Sequence, residues 1–399
     1  MSQKPLTKPA VQILPYAWVI LAVVYLASVA APLNQFKVPP IMPVLMQELS
    51  IDLARAGSLM SVIALVGLIL ALPAGILLQR IGPRASGLLA LGFMVAGAAL
   101  GALAGSYNNL LASRVVEGVG IGLIGVIAPA TIAMWFPLAR QGVPMGIWAT
   151  WVPVGSVLMY NLAPALAAAR GWQAVWWLGA GFALITMLLY ALLMRRPPAA
   201  EPEKEQPRPS LDLRAALANR DIWLLALAFA CFNLALIGLA TFYPTFLVEA
   251  RGYPLSQAAF VTSIATLVVL FSAPLAGVIS DRIGSRRLVV AIPFLVLAIL
   301  FIFPFRVSGW QITAVMVVQG LAAGAIATAT FAAAPEVMRK PQWAGLGLAV
   351  ILIGQNLGQL VGPVLLGQLI GRVGWIAAGY VLIPICLLGF ASAWLVRVR

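Results

Sequence analysis

Long apolar runs separated by short polar breaks constrain this chain more than any other feature it has. Twelve runs, at about 15–47, 54–78, 86–105, 108–136, 140–168, 171–194, 221–248, 255–279, 287–305, 308–336, 341–370 and 373–396, are each long enough to cross a hydrocarbon layer as a helix. Such a layer is roughly 30 Å thick and offers no partner for backbone N–H and C=O groups. Helices that satisfy their own hydrogen bonds are therefore the expected elements. With 62% of 399 residues hydrophobic and 9% charged, the chain carries more apolar sequence than a water-soluble core needs. An all-α integral membrane protein with twelve transmembrane helices in a lipid bilayer is the expected fold class.

The segment from Arg195 to Arg220 interrupts this pattern with Pro197-Pro198, Glu201, Glu203, Lys204, Glu205 and Pro207-Arg208-Pro209. That composition is a linker's, and it divides the chain into 1–196, a linker at 197–220, and 221–399. Placing the N-terminus inside puts eighteen of the 25 lysines and arginines in cytoplasmic segments. Five (Arg55, Arg170, Arg251, Arg306, Arg372) fall outside, and two (Lys37, Arg114) lie within spans. This positive-inside bias puts both termini in the cytoplasm and suits a bacterial inner membrane. It also accounts for the +14 net charge without nucleic acid as a partner. There is no histidine, and Cys231 and Cys386 sit within apolar runs, so no metal site or cofactor is expected. A monomer is the expected state.

The halves share a repeat. Gly277-Val-Ile-Ser-Asp281-Arg282-Ile-Gly284-Ser-Arg286-Arg287 has a degenerate twin in Gly75-Ile-Leu-Leu-Gln79-Arg80-Ile-Gly82-Pro-Arg84, at an offset of 202 residues (277 − 75). The same offset carries Val115-Val116-Glu117-Gly118 onto Val317-Val318-Gln319-Gly320, which argues for a duplicated half. The G-x-x-x-D-R-x-G-x-R pattern resembles the signature loop of the major facilitator superfamily. Gly277 to Arg286 fits it in full, and Gly75 to Arg84 fits except for Gln79 in the acidic place. The resemblance implies two pseudo-symmetric six-helix bundles that rock about a central cavity. It makes Gly75, Arg80, Gly82, Arg84, Gly277, Asp281, Arg282, Gly284 and Arg286 a cytoplasmic gate. In that gate a small residue lets helices approach, while the charged side chains latch neighbouring helix ends.

Ionisable groups within a bilayer are costly and usually functional. Lys37 lies in the first span beside Asn34 and Gln35; it either faces a wet cavity or snorkels to the outer surface. Arg114 and Glu117 lie three residues apart on one helical face of the fourth span. They match a short R-x-x-Q/E-G pattern that the superfamily ties to substrate or proton coupling, and an ion pair that merely holds the bundle is the competing reading. Gly118, Gly120, Gly122 and Gly125 after it read as a packing surface. The resemblance further implies that Lys37, Arg114, Glu117, Asn233, Tyr243 and Gln319 face the cavity. Tyr160, Asn161, Gln355, Asn356 and Gln359 are further polar candidates, each as readily an interhelical hydrogen bond as a ligand contact. Two cations against one carboxylate favour a small anion, carboxylate or oxyanion, as substrate, with Glu117 carrying the coupled proton. Efflux of a drug or hydrophobic compound by proton antiport is the alternative, favoured by the apolar lining alone, and the G-P-x-x-G-G motif of such antiporters is missing from the fifth span. An enzyme or a non-transporting sensor fits less well, because the sequence offers no nucleophile–base pairing and no soluble output domain.

Overall fold

The computed structural model describes residues 15–137, 140–195, 217–338 and 343–397, and every regular element among them is helical. The first part of the chain forms α1 (Pro15–Gln35), a short 3-10 turn (Pro39–Ile41), α2 (Met42–Leu49), α3 (Leu53–Ala102), α4 (Tyr107–Trp135), α5 (Gly142–Ala149), α6 (Trp151–Arg170) and α7 (Gln173–Leu193). The second part forms α8 (Arg220–Arg251), α9 (Leu255–Ile283), α10 (Arg286–Leu300), α11 (Trp310–Met338), α12 (Ala344–Tyr380) and α13 (Leu382–Leu395). The linker expected at 197–220 lies almost wholly outside the described residues.

Ten stretches among the described residues are long and apolar enough to cross a membrane. The expected span at 287–305 corresponds to a shorter helix, α10 at 15 residues, and that at 373–396 to the part of α12 after Gly374 followed by the 14-residue α13. Glycine explains how α3 and α12 outrun a bilayer: each is two helices meeting at a residue with left-handed φ. Gly82 (φ 76°, ψ 172°) turns α3 and Gly374 (φ 78°, ψ 172°) turns α12, a conformation that a Cβ would strain. Two expected spans are themselves broken, the first between α1 and α2 and the fifth at Thr150, between α5 and α6.

Helices before residue 195 pack among themselves, as do those after 217. The two groups meet where α3 lies on α12, where α6 lies on α9, and where the 39–49 segment lies on α8 and α9. We call the ends carrying Arg84, Arg195 and Arg286 the basic face, and the ends carrying Ser50, Arg170 and Arg251 the far face. One buried apolar cluster joins residues 33–60, 102–110 and 159–176 of the first group to the core of the second. The other stays within the first group and holds Ala17–Ala31, Ile121–Phe136 and Ala183–Met194, nearer the basic face. The groups are thus fused toward the far face and have separate cores toward the basic face. Two glycines permit the fusion. A Cβ on Gly57 would stand 2.5 Å from the Pro363 carbonyl oxygen, and one on Gly367 would stand 2.6 Å from that of Leu53.

Candidate functional site

Pro39 and Pro40 decide the local geometry. Pro39 has no N–H to give the Gln35 carbonyl, so α1 stops there and leaves carbonyl groups at its end without helical donors. Arg114 on α4 supplies the donors. Its Nη2 donates to the Gln35 carbonyl at 2.7 Å and its Nη1 to the Asn34 carbonyl at 2.7 Å, while Nε donates to the Leu59 carbonyl of α3 at 3.1 Å. A guanidinium placed there also meets the negative end of the helix dipole.

Glu117 completes the cluster. One of its oxygens accepts from Arg114 Nη1 at 2.6 Å, the expected i, i+3 contact, and the other accepts from the Lys37 ammonium. Lys37 also donates to Asn34 Oδ1 at 3.0 Å, and its Nζ stands 4.8 Å from the centre of the Trp176 ring. Gly179, one turn further along α7, makes room: a Cβ there would fall 2.3 Å from Asn34 Oδ1 and 3.3 Å from Lys37 Nζ. All three charged side chains are 0% exposed. Two buried cations therefore share one buried carboxylate, and removing charge from water costs several kcal/mol per ion when it is not compensated.

Two expectations change here. Lys37 does not snorkel, because the helix break turns it inward onto Glu117 rather than along a continuous helix toward the surface. Nor do Lys37, Arg114 and Glu117 line an open cavity in this conformation. They are enclosed among α1, α3, α4 and α7, and Arg114 commits four of its five N–H groups, two to the end of α1, one to Leu59 and one to Glu117. Trp176, Gly179 and the Leu59 carbonyl belong to the cluster and were not anticipated. The Pro39-Pro40 pair signalled the break, whereas nothing in the spacing of Trp176 and Gly179 signalled their contact with Asn34 and Lys37.

A second set of polar residues lies between the two groups of helices. Gln35 Nε2 donates to Gln359 Oε1 at 3.3 Å, and Gln359 Nε2 donates to Asn233 Oδ1 at 3.3 Å. Tyr160 donates its hydroxyl to the Ala240 carbonyl at 2.9 Å, and Asn161 Nδ2 donates to Ser263 Oγ at 3.3 Å. Asn356 bonds back to Leu352 at 2.9 Å and turns its Oδ1 toward Gly67. The charged cluster and this row meet at Gln35, whose backbone carbonyl holds Arg114 while its side chain reaches across. Gln355 is half-buried, and Gln319 is buried with its Oε1 unbonded. Tyr243 does not face a cavity: its hydroxyl donates to the Pro304 carbonyl at 3.0 Å, and its ring joins Phe246 and Phe305 in an aromatic cluster near the far face.

At the basic face the repeated loops make contacts within each group. Arg286 pairs with Asp281 at 2.7 Å and with Glu336 at 3.2 Å, and also donates to Ser280 Oγ at 2.8 Å. Arg84 donates to the Ala191 carbonyl, at the end of α7, at 2.7 Å. Arg80 and Arg282 are exposed. Gly82 and Gly284 both hold positive φ, which explains the second glycine of each loop. The first glycine is not a close-approach position here, since a Cβ on Gly75 meets nothing within 4 Å and one on Gly277 meets only Thr328 at 3.7 Å. Of the four α4 glycines, Gly118, Gly120 and Gly122 do face close neighbours, and Gly125 faces open space.

A helical membrane protein with two packed groups of spans, ions enclosed in one of them and polar residues at their junction, is built as a solute transporter is. The family model "Major Facilitator Superfamily" matches residues 24–315 and 255–399, and the chain belongs to that family of transporters. It is 26% identical over 380 residues to a probable sulfoacetate transporter of Cupriavidus necator, covering 89% of this chain and 87% of that one. It is 28% identical over 368 residues to a chloramphenicol resistance protein of Streptomyces lividans, covering 89% and 91% respectively. The fold also matches a solved bacterial homologue of the human lysosomal transporter Spinster, inward-facing and unoccupied, with a TM-score of 0.84 and 18% identity over 96% of this chain and 97% of that one.

Proposed function

We propose that this chain is a secondary transporter of a small anion, a carboxylate or an oxyanion, working by rocker-switch alternating access with proton coupling through Glu117. The observation that carries this reading is the buried excess of positive charge: Lys37 and Arg114 share the single carboxylate of Glu117, and all three are 0% exposed. An entering anion would offset that excess, whereas a cation would add to it. Protonation of Glu117 would free Arg114 and Lys37 to hold an anionic group, Arg114 by a two-pronged contact that suits carboxylates and oxyanions. Sulfoacetate, the substrate named for the Cupriavidus relative, belongs to this class.

We take α10, and α13 together with the part of α12 after Gly374, as the spans that complete two pseudo-symmetric six-helix bundles, 1–196 and 221–399, joined by the 197–220 linker. With the basic face cytoplasmic, as the distribution of lysine and arginine favours, both termini lie inside and the conformation is closed to the outside of an inner membrane. The pairs Gln35–Gln359, Tyr160–Ala240 and Asn161–Ser263, with Asn356 against Gly67, then form the contacts that must part when the outer side opens, and Asn233, Gln355 and Gln319 are further polar groups of the second bundle. The two signature loops serve as the cytoplasmic gate.

Efflux of a hydrophobic compound is the second reading, favoured by the Streptomyces relative. Proteoliposomes holding a pH-sensitive dye separate the two. Proton flux on addition of sulfoacetate or another small carboxylate or oxyanion, and none with chloramphenicol, is the expected result. Flux with chloramphenicol alone would establish the second reading instead.

A further inference from the structure

A cavity of ≈ 430 Å³ opens at the basic face between the start of α8, the start of α10 and the end of α13, away from the charged cluster and from the junction of the two helix groups. Among the described residues Arg220, Arg287 and Arg397 line it, against the single acid Asp221. The surplus is therefore two positive charges in one recess. The Arg287 Cζ stands over the Trp394 ring, 4.2 Å from its centre, and among the described residues its buried Nε has no hydrogen-bond partner. A guanidinium N–H left unbonded in a buried position is costly, which favours a shift of this side chain toward an acceptor placed in the recess.

The surrounding backbone favours the same sign of ligand. The first turn of α8 faces the recess, and its leading N–H groups have no acceptors within the helix. Asn219 satisfies one of them, accepting from Asp221 N at 3.0 Å. Such a helix end attracts anions. Asp221 is partly engaged, because its Oδ1 accepts from the Arg397 backbone N–H at 3.4 Å. On the remaining side the wall is apolar and exposed: Trp394 is 43% and Leu395 54% exposed. A tryptophan beside arginines at the end of a spanning helix is the composition of a membrane–water boundary. One ligand class presents an anionic head to the arginines and acyl chains to such a wall.

We propose that this recess holds the phosphate of an anionic phospholipid headgroup, with Arg220, Arg287 and Arg397 as its ligands and Trp394 lying against the glycerol and upper acyl chain. Basic recesses between spanning helices on the cytoplasmic side are suited to such headgroups. The site is independent of the transported substrate, so it holds whether that is an anion or a hydrophobic compound.

The test titrates the full-length protein in neutral detergent with phosphatidylglycerol, phosphatidylcholine and inorganic phosphate, and counts bound adducts by native mass spectrometry. Phosphatidylglycerol is expected to bind at least tenfold more tightly than phosphatidylcholine and to resist displacement by inorganic phosphate. Arg287→Gln and Arg397→Gln are each expected to weaken it about fivefold, the effect of one arginine near a charged lipid surface. Asp221→Asn removes the opposing charge and is expected to tighten binding, which keeps the test decisive even where an arginine variant folds poorly. Equal binding of the two lipids overturns the proposal, as does unchanged affinity in the arginine variants of intact fold. Phosphate that competes as strongly as the lipid overturns it too, by making the recess a free-phosphate site.

Discussion

Glu117→Gln removes the one negative charge from a cluster that already carries an excess of positive charge. Glu117 accepts from Arg114 Nη1 at 2.6 Å and from Lys37, and none of the three side chains is exposed. Neutralising it strands two buried cations, and breaking a buried pair in this way costs about 3–5 kcal/mol. Unfolding entropy near 2.1 cal/mol/K per residue makes 1 kcal/mol worth about 1 °C in a chain of this length, so Tm should fall by roughly 4–6 °C. A saturating anion at about 100 times its Kd returns about 2.7 kcal/mol, or roughly 3 °C, and more in Glu117→Gln than in wild type because no carboxylate competes for the cations. Lys37→Met is the complementary variant. It leaves a neutral Arg114–Glu117 pair, so Tm should hold or rise while the anion-induced shift shrinks. The assay is thermal unfolding of purified protein with and without a panel of small carboxylates and oxyanions. Glu117→Gln protein as stable as wild type, or one that no anion stabilises, refutes the reasoning. The geometry also specifies the control for a purely structural role. Arg114→Leu with Glu117→Leu still strands Lys37, so full recovery of fold requires adding Lys37→Met. Transport by that triple variant would assign the cluster to structure alone.

Gly57→Leu drives a side chain into the Pro363 carbonyl, which lies 2.5 Å from the Cβ position, and should open the far side. In a background lacking Cys231 and Cys386, a cysteine at Asn356 should then react several-fold faster with an impermeant maleimide, and an unchanged rate would contradict the closure described. Gly82→Ala, at φ 76° and ψ 172°, should cost about 1–3 kcal/mol, whereas Gly75→Ala, whose Cβ meets nothing within 4 Å, should leave Tm unchanged. Equal Tm losses in the two would reverse the assignment of the loop glycines. Asp281→Asn removes the negative charge from the 2.7 Å partner of Arg286 and leaves that of Glu336 at 3.2 Å; exchange should slow while anion affinity stays within a few-fold. Loss of binding with intact fold would place this loop in the binding site instead.

Ten of the twelve spans and the Arg114–Glu117 contact were legible because each rests on a period: a run of apolar residues long enough for lipid, and three residues around a helix. The charges at the basic face were legible because loops repeat at a fixed offset. Lys37 was harder. Read as one helix from 15 to 47, its side chain points to a lipid or cavity face, and only the loss of the Gln35 hydrogen bond to Pro39 turns it onto Glu117. Tyr243 was misplaced for a related reason, since a polar tip on an apolar helix marks either a cavity or a carbonyl nearby, and here the carbonyl of Pro304 lies across the core. The glycine pair that lets the two groups close, Gly57 and Gly367, had no local signal because each meets a backbone more than 300 residues away in sequence. Trp176 and Gly179 were missed on the same ground, as neither spacing nor composition tells which helix lies opposite.

The most direct test of anion transport through this cluster compares wild type and Glu117→Gln in proteoliposomes loaded with a labelled small carboxylate. Exchange of internal for external anion needs only binding and alternation; accumulation against a gradient needs the coupled proton. Glu117→Gln should retain exchange at a rate within a few-fold of wild type and lose accumulation driven by an imposed pH gradient. Accumulation that persists in Glu117→Gln, or exchange that survives Arg114→Ala, would contradict the role assigned to the buried charges.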